Sequence, residues 1–354
     1  MPHRTRRASL VATLAALLLS APVATPAIGA TEAAAQRPLD FADLAPRSGK
    51  KGGAMQLWSY HFFLQDGVEI SLQLSEANLK PVFGEVAGIE LSVLGLTPDD
   101  HRLTRGFDAA GTVFSTDPAE LRIRPDIWIR GDLADGHRVR CVVTRNDIRY
   151  DIDLELRDVV RGPAREENRY RLENRQEITL EVPIAFSRVD GIVTVGSESR
   201  EVEGVAVMEH IVLSTWAARL LSEAVYMFDL GPSWRVGYFM TTSRRHGSRL
   251  LGYALAGGAD GGTELELPAV LEVLETQRRK GVAVPTRVEI GTAGERALRL
   301  DLEEPRQAFS LLGEISGTLR WLAELFIGGE PWVFRGAGEL DGATRLHYAM
   351  MIID

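Results

Sequence analysis

Trp58-Ser59-Tyr60-His61-Phe62-Phe63-Leu64, then Gln65-Asp66-Gly67, then Val68, Ile70, Leu72 and Leu74 at alternate places: this stretch decides the fold class. Side chains on a strand point to opposite faces in turn, and Asp-Gly tolerates the positive φ of a tight reversal. Two runs of period two across Asp-Gly are therefore a β-hairpin. The same pattern recurs at Leu121 and Ile123, at Ile127 and Ile129, at Val139, Cys141 and Val143, from Tyr150 to Leu156, and at Ile178, Leu180 and Val182. Asp135-Gly136, Asn146-Asp147 and Asp190-Gly191 read as turns between them. Strands at this spacing with no helices between them exclude βαβ units. They predict an all-β chain, antiparallel barrel or sandwich.

The middle of the chain changes period. Val212, Trp216, Leu220, Ala224 and Met227 recur at three- and four-residue spacing, which predicts a helix over about 213–227, ended by Gly231-Pro232. Strands resume from Trp234 to Met240, and a Lys280-Gly281 turn and an Asp341-Gly342 turn each sit between alternating runs. Ile315, Leu319, Leu322 and Phe326 suggest a second short helix. The expected organisation is two β-rich halves, 55–195 and 196–354, with one or two short bridging helices.

The 354 residues are 45% hydrophobic and 25% charged, enough to bury a sizeable core. A net charge of −9 speaks against a nucleic-acid partner, whose phosphates need a basic face. Arg4, Arg6 and Arg7, an apolar stretch from Ala8 to Leu19 and small residues up to Ala30 have the layout of a signal peptide over 1–30. Export to the periplasm or beyond is expected, by the Sec route or by a twin-arginine route suggested by Arg6-Arg7. Residues 31–54 read as a flexible tether. No later stretch has the unbroken apolar length of a membrane helix, so membrane-surface contact is the most that is expected, with no integral span. Cys141 is the single cysteine, which excludes an intramolecular disulfide and a Cys-rich metal site. No metal and no cofactor are expected.

No nucleophile elbow, phosphate-binding glycine loop or zinc-binding His-Glu-Xaa-Xaa-His helix is present. The candidate catalytic pair is Glu209-His210, a carboxylate beside an imidazole within an apolar run. Adjacent strand residues face opposite ways, so only one of the two would meet a given cavity unless the chain bends. An edge pair, one member in solvent and the other on a backbone group, is the plainer alternative. The candidate ligand-binding aromatics are Trp58, Tyr60, Trp216, Tyr226, Trp234, Tyr238 and Trp332. They either line an apolar cavity, where ring faces would also stabilise a cation, or simply fill cores.

Four stretches carry a resemblance: 58–67; Val182-Pro183 through Gly191 and on to Glu209-His210; 281–286; and Trp332 through Gly342. The chain resembles the tandem lipocalin-like superfamily of hydroxyneurosporene synthase (carotenoid 1,2-hydratase), AttH, yeast survival factor relatives and fungal Diels–Alderase-type cyclases. The resemblance implies two lipocalin-like β domains and a lipophilic small-molecule partner, isoprenoid- or polyketide-like. Ile211-Val212 after the Glu-His pair, and Ala349-Met350-Met351 near the end, depart from many relatives and speak against carotenoid hydration in particular. Three functions stay open. The first is binding of such a ligand. The second is an acid-catalysed hydratase, isomerase or cyclase with Glu209 as proton donor and His210 orienting it. The third is an envelope interaction protein with filled barrels.

Overall fold

The computed structural model describes residues 37–47, 52–78, 84–258, 263–266, 268–292, 297–311, 313 and 329–353. The opening hairpin forms as its alternation predicts: β1 (Met55–Leu64) turns at Asp66 and Gly67, at φ 58° and 72°, into β2 (Glu69–Asn78). Next come β3 (Glu85–Leu94), β4 (His101–Asp108), β5 (Val113–Thr116), β6 (Ala119–Arg124), β7 (Ile127–Arg130) and β8 (His137–Arg145). β9 (Ile148–Val160), β10 (Arg169–Arg171), β11 (Glu177–Val195) and β12 (Glu198–Leu213) complete the first sheet. Its order is β4-β3-β2-β1-β12-β11-β9-β8-β7-β6-β5, with β10 beside β11.

A single turn of helix, α1 (Ala217–Leu220), leads into β13 (Leu221–Leu230), β14 (Trp234–Thr242), β15 (Leu250–Gly257), β16 (Thr263–Glu266) and β17 (Pro268–Arg279). β18 (Val282–Thr292), β19 (Leu298–Leu302), β20 (Gln307–Ser310), β21 (Pro331–Leu340) and β22 (Thr344–Ile353) follow. The second sheet runs β16-β15-β14-β13-β22-β21-β19-β18-β17, with β20 beside β21. The fold is all-β, two antiparallel lipocalin-like sheets. Among the described residues no helix is long and apolar enough to cross a membrane.

Three apolar cores follow from the two faces of each sheet. Trp58, Tyr60, Phe62, Leu72, Ile152 and Met208 fill the first interior. Val225, Met227, Phe239, Val288, Phe334 and Leu346 fill the second. Between the sheets lies a third core, where Val207, Ile211, Leu180 and Val182 meet Phe228, Trp234, Tyr238 and Tyr253. β1 therefore has no solvent face. Trp58, Tyr60 and Phe62 point into the first interior, while Leu57 and Phe63 pack into the intersheet core. A strand covered on both faces reads as a nearly continuous apolar run, which is why residues 57–64 alternate so imperfectly.

The same two-sided burial corrects the helix expected over 213–227. Helix is confined to Ala217–Leu220, and Leu221–Leu230 is strand, paired with β14 and β22. Ala224 and Phe228 face the intersheet core while Val225 and Met227 face the second interior. Apolar residues on both faces leave matches at three- and four-residue spacing with no helix present. Asp190-Gly191 is likewise no turn. It lies inside β11, where Asp190 pairs with Glu203 and Gly191 with Val202. A Cβ on Gly191 would sit 2.1 Å from the Asp153 carbonyl oxygen of β9, so the glycine serves a close approach of backbones. The β11–β12 hairpin reverses beyond Val195, and β12 belongs to the first sheet, so the sheets divide after Leu213 and not at 195.

Within the tether expected over 31–54, residues 37–47 are held in place. Leu39, Phe41 and Leu44 are buried, Asp40 caps the short 3-10 turn of 41–44, and the Trp58 indole donates to the Leu44 carbonyl at 3.0 Å. Three apolar side chains on a segment that also finds a capping carboxylate are enough to dock it. The signal-peptide residues 1–30 and the second helix expected around Ile315 to Phe326 lie outside the described residues.

One buried polar pair in the first interior has a pH consequence. Tyr60 Oη is 3.0 Å from His137 Nε2, and His137 Nδ1 has no partner among the described residues. Burial lowers the His137 pKa from 6.5 to about 4. The unfolded chain thus binds a proton that the folded one refuses between these values, so the stability present above pH 6.5 is lost as pH falls toward 4. The loss is about 3 kcal/mol from this group. Urea melts at pH 7 and pH 4.5 are expected to show it, with the difference shrinking in His137→Phe.

Candidate functional site

The register of β1 against β12 sets the candidate pair. Trp58 lies opposite His210, Ser59 opposite Glu209 and Tyr60 opposite Met208. Alternation then sends Glu209 toward the second sheet and His210 toward the Trp58 face, so the two neighbours in sequence serve different places.

Glu209 is 2% exposed, and its partner is His61, whose Nε2 lies 3.3 Å from Oε1 and 3.1 Å from Oε2. The His61 ring packs 4.8 Å from Phe228, and Phe228 in turn touches Phe63 at 5.3 Å and Tyr238 at 5.9 Å between ring centres. Tyr226 stands 5.2 Å from Tyr238. Burial first, and then the Glu209 carboxylate, push both phenols well above their ordinary pKa. Both stay protonated and can donate a hydrogen bond at any physiological pH. A carboxylate, an imidazole and two phenols thus meet inside an otherwise apolar layer. Such a group can give a proton, take one back and orient an oxygen.

A cavity of about 20 Å³ adjoins His61, lined also by Phe63, Glu69, Ser71, Phe228 and Arg335. That is room for one water molecule. Behind it the intersheet layer turns ionic. Glu90 lies 3.5 Å from Arg335 and 3.7 Å from Arg102, while Glu69 lies 2.7 Å from Arg306 and 3.4 Å from His347. Ser92 donates to Gln307 at 2.9 Å. The contacts link β2, β3 and β4 of one sheet with β20, β21, β22 and Arg306 of the other.

His210 has a different setting. It is fully buried, stacks on Trp58 at 5.4 Å and 5°, and its Nδ1 lies 3.1 Å from Glu181 Oε2. Glu181 also meets Arg47 at 2.9 Å, which ties the N-terminal segment to the sheet. Burial lowers the His210 pKa against the opposing pull of Glu181. A neutral ring held between an indole and a carboxylate has the geometry of a docking post for residues 37–47.

The expected aromatics separate into four places. Tyr226, Trp234 and Tyr238 belong to the intersheet core, with Trp234 stacked on Phe186 at 6.0 Å. Trp58 and Tyr60 are spent in the filled first interior, and Trp332 packs on Phe334 at 6.4 Å on the second interior. Trp216 covers Gly53, where a Cβ would fall 2.6 Å from the indole. Sequence reading missed His61, Phe228 and Arg335. His61 was visible only as one of several scattered histidines, and its alternation with Trp58 and Tyr60 was the single clue that it faces away from them.

No family model matches the chain, and no curated protein matches it. Among solved structures, a protein assigned as AttH from Nitrosomonas europaea aligns over 87% of this chain and 99% of its own, at TM-score 0.58 and 14% identity. CghA in complex with Sch210972 aligns over 85% and 89%, at TM-score 0.50 and 11% identity. Kievitone hydratase from Nectria haematococca covers 85% and 89%, at TM-score 0.49 and 13% identity. The chain has the AttH-like fold that the sequence resemblance implied.

Proposed function

We propose that this protein binds a lipophilic small molecule, isoprenoid- or polyketide-like, between its two sheets, and that Glu209 and His61 transfer a proton to and from it. The observation that carries this reading is the Glu209–His61 pair, buried in the intersheet layer and faced by Phe228, Tyr226 and Tyr238. A buried acid–base pair beside protonated phenols and ring faces suits addition of water to, or isomerisation or cyclisation of, an unsaturated ligand. The shared fold adds support: CghA, at the same fold, was solved with the small molecule Sch210972. His210 is not part of the proposed chemistry, because it faces the other way. Export, expected from the basic and apolar start of the sequence, is part of the same proposal and would place the ligand outside the cytoplasm.

The size of the intersheet cavity, about 20 Å³, favours a second reading in which both barrels are filled and the protein acts through its surface. Ligand binding requires the side chains around Phe228 to move apart by far more than that volume, since ligand pockets are roughly 300–1,000 Å³. Native mass spectrometry of protein purified from its own host, with lipid extraction, decides between them. A co-purifying isoprenoid or polyene is the expected result. A clean apo mass that persists when polyenes are added back would leave the filled-barrel reading.

A further inference from the structure

The ionic layer behind Glu209 contains a guanidinium with hydrogen-bonding capacity to spare. Arg335 lies on β21 with its side chain 15% exposed, and its Nε and Nη1 atoms are buried without a hydrogen-bond partner among the described residues. Its nearest carboxylate, Glu90, is 3.5 Å away and is shared with Arg102, so one acid faces two guanidiniums. Arg102 is further engaged by lying flat over the Phe309 ring at 3.6 Å. Arg335 lines the intersheet cavity together with His61, the partner of Glu209, and with Phe63 and Phe228. A buried N–H left unpaired is costly, so two on one side chain ask for an occupant.

A water molecule in the 20 Å³ cavity can satisfy one of them. The planar fork of an arginine, however, matches a carboxylate, which takes two parallel hydrogen bonds at once. Resting on the reading of the intersheet layer as a ligand site, we propose that Arg335 is its anion-recognising end, and that the ligand is an amphiphilic carboxylic acid. The carboxylate would take the free Nη1–H of Arg335 together with the neighbouring Nη2–H, which only reaches toward Glu90 at 3.5 Å, while a water takes the Nε–H on the other edge. The hydrocarbon would lie along Phe63, Phe228, Tyr226 and Tyr238, which brings its unsaturation toward Glu209. The electrostatic setting agrees: Glu90 and Glu209 both favour the charged form of Arg335, while burial opposes it and dominates, so an incoming anion restores what burial removes.

The test uses the full chain and a matched C15 series, farnesoic acid, farnesol and farnesene, titrated by calorimetry at pH 7.5. The expected result is farnesoic acid binding at least about tenfold tighter than farnesol, the scale of one charge-assisted hydrogen-bonded pair. In Arg335→Met the acid should fall to the affinity of the alcohol while the alcohol is unchanged. Should that variant fail to fold, Arg335→Lys decides. It keeps the charge but loses the fork, and the acid preference should drop at least about threefold. Equal binding of acid and alcohol by the wild-type chain, or an undiminished preference in either variant, overturns the assignment of Arg335 alone. Failure of all three compounds to bind overturns the ligand site itself, and Arg335 with it.

Discussion

Gly252→Ala, the tightest place for an added methyl group among the described glycines, is expected to lower the stability of the protein by about 3–5 kcal/mol. Two independent costs meet there. The residue sits at φ 116°, a backbone conformation that side chains bearing Cβ rarely adopt. The new Cβ would also lie 1.9 Å from the Tyr238 carbonyl oxygen and 3.0 Å from the Phe239 Cα on β14. Backbone of a paired strand cannot step aside as a flexible side chain can. The Gly252 N–H is further fixed by donating to the Tyr170 hydroxyl at 3.1 Å. With about 2.1 cal/mol/K of unfolding entropy per residue over roughly 300 folded residues, each kcal/mol is worth about 1.6 °C, so thermal melting should fall by roughly 5–8 °C. Gly281→Ala is the control: φ is 89° but nothing lies within 4 Å of the added methyl, so only the backbone cost of about 1 kcal/mol remains. A Gly252→Ala melt no lower than that of the control would mean that β15 does not approach β14 as closely as described. The carbonyl at risk belongs to Tyr238, so a partly tolerated variant should also disturb the proposed site.

Glu209→Gln is expected to remove conversion of the bound ligand while sparing fold and binding. Glutamine keeps the shape and the reach to His61 Nε2 but cannot deliver a proton. Loss of a positioned acid or base typically lowers a rate by about 10²–10⁴-fold. The readout is single-turnover conversion of the co-purified ligand class, with its Kd held within about threefold and the melt checked in parallel. His61→Asn should show a similar but smaller loss, since it disturbs the proton partner and not the donor. His210→Asn is the informative contrast. It should destabilise residues 37–47, through the broken Glu181 contact, and leave the conversion rate within a few-fold. Full turnover by folded Glu209→Gln protein would remove proton transfer from the proposal. Loss centred on His210 would move the chemistry to the other face of β12.

Much of this fold was legible, and the reasons differ by element. Hairpins with a positive-φ dipeptide at the reversal, Asp66-Gly67, Lys280-Gly281 and Asp341-Gly342, declare themselves because local chemistry alone demands the turn. The strand Leu221–Leu230 did not, because burial on both faces erases the period-two signal and leaves chance matches at helical spacing. Asp190-Gly191 misled for a related reason: glycine marks a close backbone approach as readily as a turn. At the candidate site the sequence set Glu209 beside His210, while the side chain that meets Glu209 in the fold is His61. Adjacency suggested His210, whereas register supplies His61, 148 positions earlier in the chain. Alternation already forbade Glu209 and His210 from sharing a face of a regular strand. What no single sequence can provide is which distant strand lies opposite, and hence also the meeting of Arg335 with Glu90.

The absence of a solvent face on β1 bears on how the chain can be handled and made. Cut after Leu213, the first sheet would present Leu57, Phe63, Val207 and Ile211 to water, and the second would present Phe228, Trp234 and Tyr238. Neither fragment is a self-sufficient module, so separate expression should give aggregation, and co-expression should rescue both. During synthesis the first sheet is complete while its outer wall is still bare, until residues 221–255 arrive to cover it. The two halves are then expected to melt together as one cooperative unit, despite having separate interiors.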